Sequence, residues 1–220
     1  MFYSQDKQDK FLETKVFRGH KNGFFVDVGS HDGISINNTL YFEKNNGWTG
    51  INIEPLGSVY KKLVANRPNC INLEYAVCNN DGIAEFRCNT GYDEMLSGLN
   101  DCYDRRHVHR INSEQKQYGG ESRIVKVNTR RLASIFAEHD IRHVNYLSID
   151  VEGAEFEVIK SIDFDKVFID VIGFENNYQD VSKPIVKYLR DKGYIGIHKG
   201  LDIIMINTES VFYKQKKVYK

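Results

Sequence analysis

Phe24-Phe25-Val26-Asp27-Val28-Gly29-Ser30-His31-Asp32-Gly33 is the stretch on which the fold turns. Four apolar residues and one carboxylate precede the first glycine and have the character of a short buried strand. Two glycines, spaced G-x-x-x-G, then allow a tight turn and close approach of backbone to a ligand. Residues 36–45, stopped by Asn46-Gly47, are predicted to form a helix. Strand, glycine turn and helix make the opening unit of a nucleotide-binding α/β fold. Free N–H groups of the turn and the helix N-terminus would favour a carboxylate or phosphate. The spacing is not the dinucleotide pattern G-x-G-x-x-G, and Asp27 stands just ahead of the first glycine. A carboxylate there repels a pyrophosphate and suits a cationic group such as an amine.

Trp48-Thr49-Gly50-Ile51-Asn52-Ile53-Glu54-Pro55 reads as a second short strand ending in an acid. Glu54 lies 21 residues after Gly33, where a carboxylate grips a ribose diol through two hydrogen bonds. The plainer reading is a solvated acid ahead of Pro55, but the two features occur together and in the right order.

At this point the chain resembles a known family. Val26 to Gly33, Asn38-Thr39, Gly47-Trp48-Thr49-Gly50 and Ile53-Glu54-Pro55 are similar to motifs of the FkbM-type methyltransferases. So is Leu147-Ser148-Ile149-Asp150-Val151-Glu152-Gly153-Ala154-Glu155-Phe156-Glu157. Ser4-Gln5, Gln8-Asp9, Asn66-Arg67 and Leu96-Ser97-Gly98 resemble one branch of that family. The resemblance implies S-adenosylmethionine as cofactor and O-methylation, commonly of sugars or other small hydroxyl acceptors. It implies cofactor contacts from Asp27, Gly29, Ser30, His31, Gly33, Asn38, Glu54, Pro55 and Asp150, with Asp27 facing the amino group.

The bulk numbers narrow the classes. A chain of 220 residues fits one α/β domain with a real core. Lys+Arg and Asp+Glu each number 30, so no global field favours nucleic acid or an anionic membrane. No apolar run approaches the ~18 residues of a transmembrane helix. The polar opening, residues 1–10, is unlike a secretory signal. Cys70, Cys78, Cys88 and Cys102 show no C-x-x-C spacing and read as ordinary thiols of a reducing compartment, so a cytoplasmic protein is expected.

Along the chain, residues 1–23 are expected to dock as an N-terminal extension with a short helix, one option being a position over the cofactor. A helix is predicted over 57–66, ended by Arg67-Pro68. Residues 70–77 alternate as a third strand, with Tyr75 and Ala76 expected at the adenine. Asn79-Asn80-Asp81-Gly82 marks a turn, after which 83–88 is expected to pair antiparallel with 124–128. Residues 89–122 show no clear periodicity and are expected to form a long substrate loop or lid. Its arginines, tyrosines and histidines suit a hydroxyl-rich acceptor, while His107-x-His109 is a chance spacing without a metal assignment. A helix over 130–139, a strand over 144–149, a helix after Glu152-Gly153-Ala154 and a strand over 167–174 follow. Ser182 and Pro184 are read as the start of the next helix. Residues 194–198 and 202–207 form a closing hairpin. Lys214, Lys216, Lys217 and Lys220 are read as a solvated basic tail. The alternation predicts one domain over 1–220 with a Rossmann-like class I methyltransferase fold: a doubly wound, mostly parallel sheet closed by an antiparallel hairpin.

Ligands of such sheets lie beyond the carboxyl ends of the strands. Asp150 and Glu175 end adjacent predicted strands and, with Asn176, form an all-oxygen set of the type that holds Mg²⁺ or Mn²⁺. Methyl transfer to an alcohol needs in-line positioning and a route for a tightly held proton, supplied by a base or by an ion. Asp150, Glu152 and Glu175 are therefore the candidate catalytic residues. Three readings stay open: a metal site, Asp150 or Glu152 as a base without metal, and Glu152 with Glu155 merely charging a helix N-terminus. Pro55, Pro68 and Pro184 are the only prolines, so the Asp/Asn-Pro-Pro-aromatic motif of base N-methylation is absent. The expected acceptor is a small molecule or glycan, with no nucleic acid or membrane as partner. A nicotinamide-dependent oxidoreductase and a catalytically silent cofactor-binding scaffold are the rival readings.

Overall fold

The computed structural model describes residues 1–217. Its strands are β1 (Phe24–Val28), β2 (Thr49–Ile53), β3 (Ile71–Leu73), β4 (Ala76–Val77), β5 (Gly82–Asn89) and β6 (Gly98–Leu99). They continue with β7 (Ser122–Arg130), β8 (His143–Ile149), β9 (Phe168–Glu175), β10 (Tyr194–Lys199) and β11 (Asp202–Asn207). The main sheet has the order β10-β11-β9-β8-β1-β2-β3. β1 runs parallel to both β2 and β8, and β8 is parallel to β9. β11 is antiparallel to both of its neighbours, which makes the expected closing hairpin. A smaller sheet, β4-β7-β5-β6, stands beside it, and β5 pairs antiparallel with β7 along its whole length.

The helices are α1 (Gln8–Phe11), α2 (Leu40–Asn46), α3 (Gly57–Asn66), α4 (Arg105–Tyr118), α5 (Leu132–Glu138), α6 (Glu155–Lys160), α7 (Gln179–Asp191) and α8 (Val211–Lys217). Alternation along β1 sends Val26 and Val28 to one apolar layer, with Ile135 of α5, Ile159 of α6 and Leu189 of α7. Phe25 goes to the other, with Phe17, Phe42, Trp48 and Phe212. Layers on both faces explain why the central strands read as continuous apolar runs. The N-terminal extension packs in the second layer through Leu12, Val16 and Phe17 of a π-helical turn, Leu12–Phe17. Among the described residues no helix is long and apolar enough to cross a membrane.

Several boundaries differ from the sequence reading. α2 begins at Leu40 rather than 36, because Ile36 takes φ +51° and the Asn37 carbonyl oxygen Oδ1 accepts from the N–H groups of Thr39 and Leu40 at 3.0 and 2.8 Å. The strand predicted over 70–77 splits: β3 stays in the main sheet, and β4 crosses to pair with β7. Residues 89–122 are not a loop but carry two 3₁₀ turns, β6 and the 14-residue α4. Only His107 and Ile111 of that helix are buried, so it lacks an apolar stripe. Its signals are local: Asp104 accepts from the Arg106 N–H at 2.8 Å, and Arg110 pairs with Glu114 at 2.8 Å. α5 starts at Leu132, since 122–130 continue as β7 and the Leu132 N–H is taken by the Ser161 hydroxyl at 3.0 Å. α7 starts at Gln179 and contains Pro184, three residues earlier than Ser182 suggested. Of the basic tail, Lys214 lies in α8 and pairs with Glu209 at 2.7 Å, while Lys220 and the side chains of Lys216 and Lys217 lie outside the described residues.

Candidate active site

Parallel pairing of β2, β1, β8 and β9 brings their carboxyl ends together, so Gly29, Glu54, Asp150 and Glu175 meet at one edge. The register leaves no space for a side chain at Gly29: its φ is +84°, and a Cβ would stand 1.7 Å from the Asp150 carbonyl oxygen. The turn is not an anion cradle. The N–H groups of Gly29 and Ser30 both donate to the Ile53 carbonyl at 3.0 and 3.1 Å, and those of Ile34 and Ser35 to Asp32. With α2 beginning only at Leu40, no helix N-terminus follows the glycines. Gly33 lines neither cavity described below; a Cβ there would strike Arg67 and Leu63 at 2.7 Å, so packing against α3 explains it.

Two connected spaces open at the strand ends. The first, about 560 Å³, is lined by Glu54, Pro55, Tyr75 and Ala76, with Gly29, His31 and Asp150 at one side. Apolar walls come from Leu56, Val77, Phe86, Leu99 and Val151, and Met95 and Ser97 close it. A largely apolar pocket with a few acids at its rim suits a nucleoside, the acids reaching its hydroxyls. Glu54 is 6% exposed, and burial raises its carboxyl to about 7, although the N–H groups of Leu56 and His31 hold it down in part.

The second space is an open cleft of about 1550 Å³, reached by Asp27, Ser30, His31, Asn38, Asp150, Glu152, Glu175 and Asn176. Ser30 is committed elsewhere: its hydroxyl donates to the Asp27 carbonyl (2.6 Å) and accepts from the Ile53 N–H (3.0 Å). Asp27 accepts from Asn37 Nδ2 and Thr39 Oγ1, both at 2.8 Å. Its carboxyl is raised by burial, which outweighs the nearby Arg67 guanidinium. Arg67 is fully buried and sequence reading gave it no role; it pairs with Glu43 and donates to the Gly33 carbonyl (3.0 Å), Asn37 Oδ1 (3.2 Å) and Thr39 Oγ1 (3.2 Å). It thereby ties residues 33–39 to α3. Asn38 donates to Ser148 Oγ at 3.3 Å, and its Oδ1 is buried without a partner.

One oxygen each of Asp150, Glu152 and Glu175 lies within 4.8 Å of the others. Glu152 Oε2, Glu175 Oε2 and Asn176 Oδ1 are buried without hydrogen bonds, and Asn176 Nδ2 donates to the Gly200 carbonyl at 3.2 Å. Burial first, and then mutual repulsion, hold Asp150, Glu152 and Glu175 above the ordinary carboxylate range. Asp150 is open to water in the cleft, which screens part of this effect, but crowding by Asp202, Glu155 and Asp27 keeps the direction. Among the described residues none of the three forms an ion pair with a lysine or arginine. Glu155 lies in the first turn of α6 and accepts from the Gly153 N–H at 3.0 Å.

The sequence reading left Gln5, Gln8, Met95, Leu96 and Ser97 without roles, and all line these spaces, as does Arg110, one of the arginines read as suited to a hydroxyl-rich acceptor. The buried Asp9 holds the segment ahead of Gln5, accepting from the Tyr3 N–H (2.6 Å) and the Ser4 hydroxyl (2.6 Å), and Gln8 Oε1 accepts from the Asp6 N–H at 2.8 Å. The signals were present as Ser4-Gln5, Gln8-Asp9 and Leu96-Ser97-Gly98, quoted above for likeness alone.

Comparison with known proteins bears on the fold and the family. No curated protein matches the chain. The fold is similar to a solved structure of the METTL16 methyltransferase domain, with a TM-score of 0.51 and 13% identity over 92% of this chain, which spans 66% of that one. A human methyltransferase 10 domain containing protein scores 0.43 at 13% identity, over 90% of this chain and 78% of that one, too loose to argue from. At such identity the METTL16 likeness speaks to the fold alone, a Rossmann-like methyltransferase fold. The methyltransferase FkbM domain matches residues 27–195, and on that extent the chain belongs to the FkbM methyltransferase family.

Proposed function

We propose that this chain is an S-adenosylmethionine-dependent O-methyltransferase acting on a hydroxyl of a sugar or glycan, with a divalent ion held by Asp150, Glu152 and Glu175. The observation that carries this reading is the acid cluster: three carboxylates within 4.8 Å, none of them ion-paired with a lysine or arginine among the described residues, beside the cavity lined by Glu54, Tyr75 and Ala76. Such crowding is unfavourable unless cations offset it. A sulfonium cofactor and a divalent ion both would, and the donors are the hard oxygens such an ion takes. Asn176 Oδ1, buried and unpartnered, is a further donor in the same cleft.

When bound, the cofactor supplies an electrophilic methyl on a good leaving group. An ion at the acids would supply acidity to the acceptor hydroxyl. The protein's own part is positioning and proton removal. Leu56, Val77 and Phe86 hold the base, and Glu54 in its ionised form accepts from the ribose diol. Asp150, shared by both spaces, marks where nucleoside and acceptor meet. In the alternative without an ion, Glu152 or Glu175 in its ionised form, its proton affinity raised by burial, receives the hydroxyl proton as the new C–O bond forms and the C–S bond breaks. The amides of Gln5 and Asn177 and the unpartnered Oδ1 of Asn38 place neutral donors and acceptors in the cleft, which supports a polyhydroxyl acceptor over a membrane surface. Four free thiols suit a cytoplasmic setting.

Calorimetric titration of S-adenosylhomocysteine and of Mn²⁺ into wild type and Asp150→Asn tests the reading. Micromolar cofactor binding is expected, together with Mn²⁺ heat that Asp150→Asn abolishes. No cofactor binding would overturn methyl transfer. Cofactor binding with no Mn²⁺ heat would remove the ion and leave the carboxylates as the base.

A further inference from the structure

Glu152 is held in an unusual way. Its φ is +56°, a left-handed conformation that costs a non-glycine residue about 1–2 kcal/mol. The turn is clamped from two sides. Gly153, at φ +116°, lies so close to the segment entering α4 that a Cβ would meet the Cys102 carbonyl oxygen at 2.8 Å. On the other side a Cβ on Gly98 would touch the Val151 carbonyl at 3.1 Å and Glu152 Cβ at 3.3 Å. Tyr103 fastens the two clamps to one another, donating from its hydroxyl to the Leu96 carbonyl at 2.6 Å.

One turn into α4, His107 reaches the same carboxylate. It is 2% exposed, its ring lies 5.4 Å from that of Tyr103, and its Nε2 is 3.2 Å from Glu152 Oε2. The two atoms are not aligned for a hydrogen bond, and neither has another partner. A buried polar atom left unpaired costs about 1–3 kcal/mol, so two such atoms facing each other mark a contact made in another state of the site. Glu152 and Glu175 also form a partition: a third cavity, of about 580 Å³ and lined by Tyr103, His107 and Tyr178, lies behind them. His107 therefore approaches Glu152 from behind, away from the cofactor.

We propose that His107 is a positioning residue for the ion site, its Nε2–H donating to Glu152 Oε2 so that the other carboxylate oxygen is held toward Asp150 and Glu175. This rests on the proposed function. Ligating carboxylates are commonly oriented by such outer partners, whose loss costs about 10–100-fold in metal affinity. A helix invisible to apolar periodicity thus acquires a reason for its place in the fold: α4 carries the donor that sets Glu152.

Two variants of the full chain test it. His107→Gln places an amide N–H near the Nε2 position, whereas the shorter His107→Asn falls short of Glu152. Mn²⁺ affinity is read by electron paramagnetic resonance and S-adenosylhomocysteine affinity by calorimetry, the latter reporting an intact fold. Expected are a loss of about 10–100-fold in Mn²⁺ affinity for the asparagine variant and recovery of most of it by glutamine, with unchanged S-adenosylhomocysteine binding. In a Glu152→Gln background the asparagine change adds no further loss. Equal Mn²⁺ affinities of the two variants, whether both native or both weak, would overturn the assignment. Wild type that binds S-adenosylhomocysteine but no Mn²⁺ would defeat the ion reading itself and this inference with it.

Discussion

Replacing Glu54 by glutamine should strengthen the fold and weaken the enzyme. The side chain is 6% exposed and accepts from the Leu56 N–H at 2.8 Å. Burial raises its pKa from 4.5 to about 7. The native state therefore holds this proton more tightly than the unfolded chain does. Stability from the group is fully present below the unfolded value of 4.5, falls as pH rises, and is lost above the folded value of about 7. A shift of roughly 2.5 units at 1.36 kcal/mol each corresponds to about 3 kcal/mol of penalty on the alkaline side. Glutamine keeps the shape without the charge, so urea unfolding between about pH 4 and 8 should show the variant gaining on wild type by up to roughly 3 kcal/mol. For a chain of this size that is a rise in Tm of about 6–12 °C. Binding moves the other way. The ribose diol loses a charged acceptor worth about 1.5–3 kcal/mol, so S-adenosylhomocysteine affinity should fall about 10–100-fold. If the two stability curves run parallel across this pH range, Glu54 is not the buried acid described, and the link between its strain and its function fails.

Two further outcomes follow from the frame around the site. Arg67→Met leaves Glu43 and Asp27 without their cation and should cost about 3–5 kcal/mol, read as a Tm drop of roughly 6–20 °C; adding Glu43→Leu should restore part of this, and a double variant as weak as the single one would refute the pairing. Gly29→Ala pays the left-handed backbone, about 1–3 kcal/mol, and also drives a Cβ into the Asp150 carbonyl, so both stability and cofactor binding should collapse; an alanine variant that melts with wild type would show that β1 and β8 separate easily.

The parallel core was legible in the chain because it rests on local patterns. Short apolar runs ending in Asp27, Glu54, Asp150 and Glu175, separated by glycine turns and amphipathic stretches, allow one doubly wound sheet and place the acids at one edge. The hairpin of β10 and β11 and the pairing of β5 with β7 were legible for the same reason. What failed were elements whose stability comes from elsewhere. α4 buries only His107 and Ile111, so its periodicity is too faint to read, and contacts with the turn at Glu152–Gly153 decide its position. Residues 36–39 were read into the helix, but Asn37 accepts from the Leu40 N–H that opens α2 and donates to Asp27 instead.

The sequence by itself determined the fold class and the four strand-end acids, since apolar periodicity and glycine spacing act over a few residues. Only the tertiary structure decided what surrounds each acid. Arg67, 40 residues from Asp27 in the chain, fixes the loop beside that acid, and His107, 45 residues before Glu152, comes to 3.2 Å from its carboxylate. Charge, burial and orientation depend on such distant neighbours, and no local pattern records them.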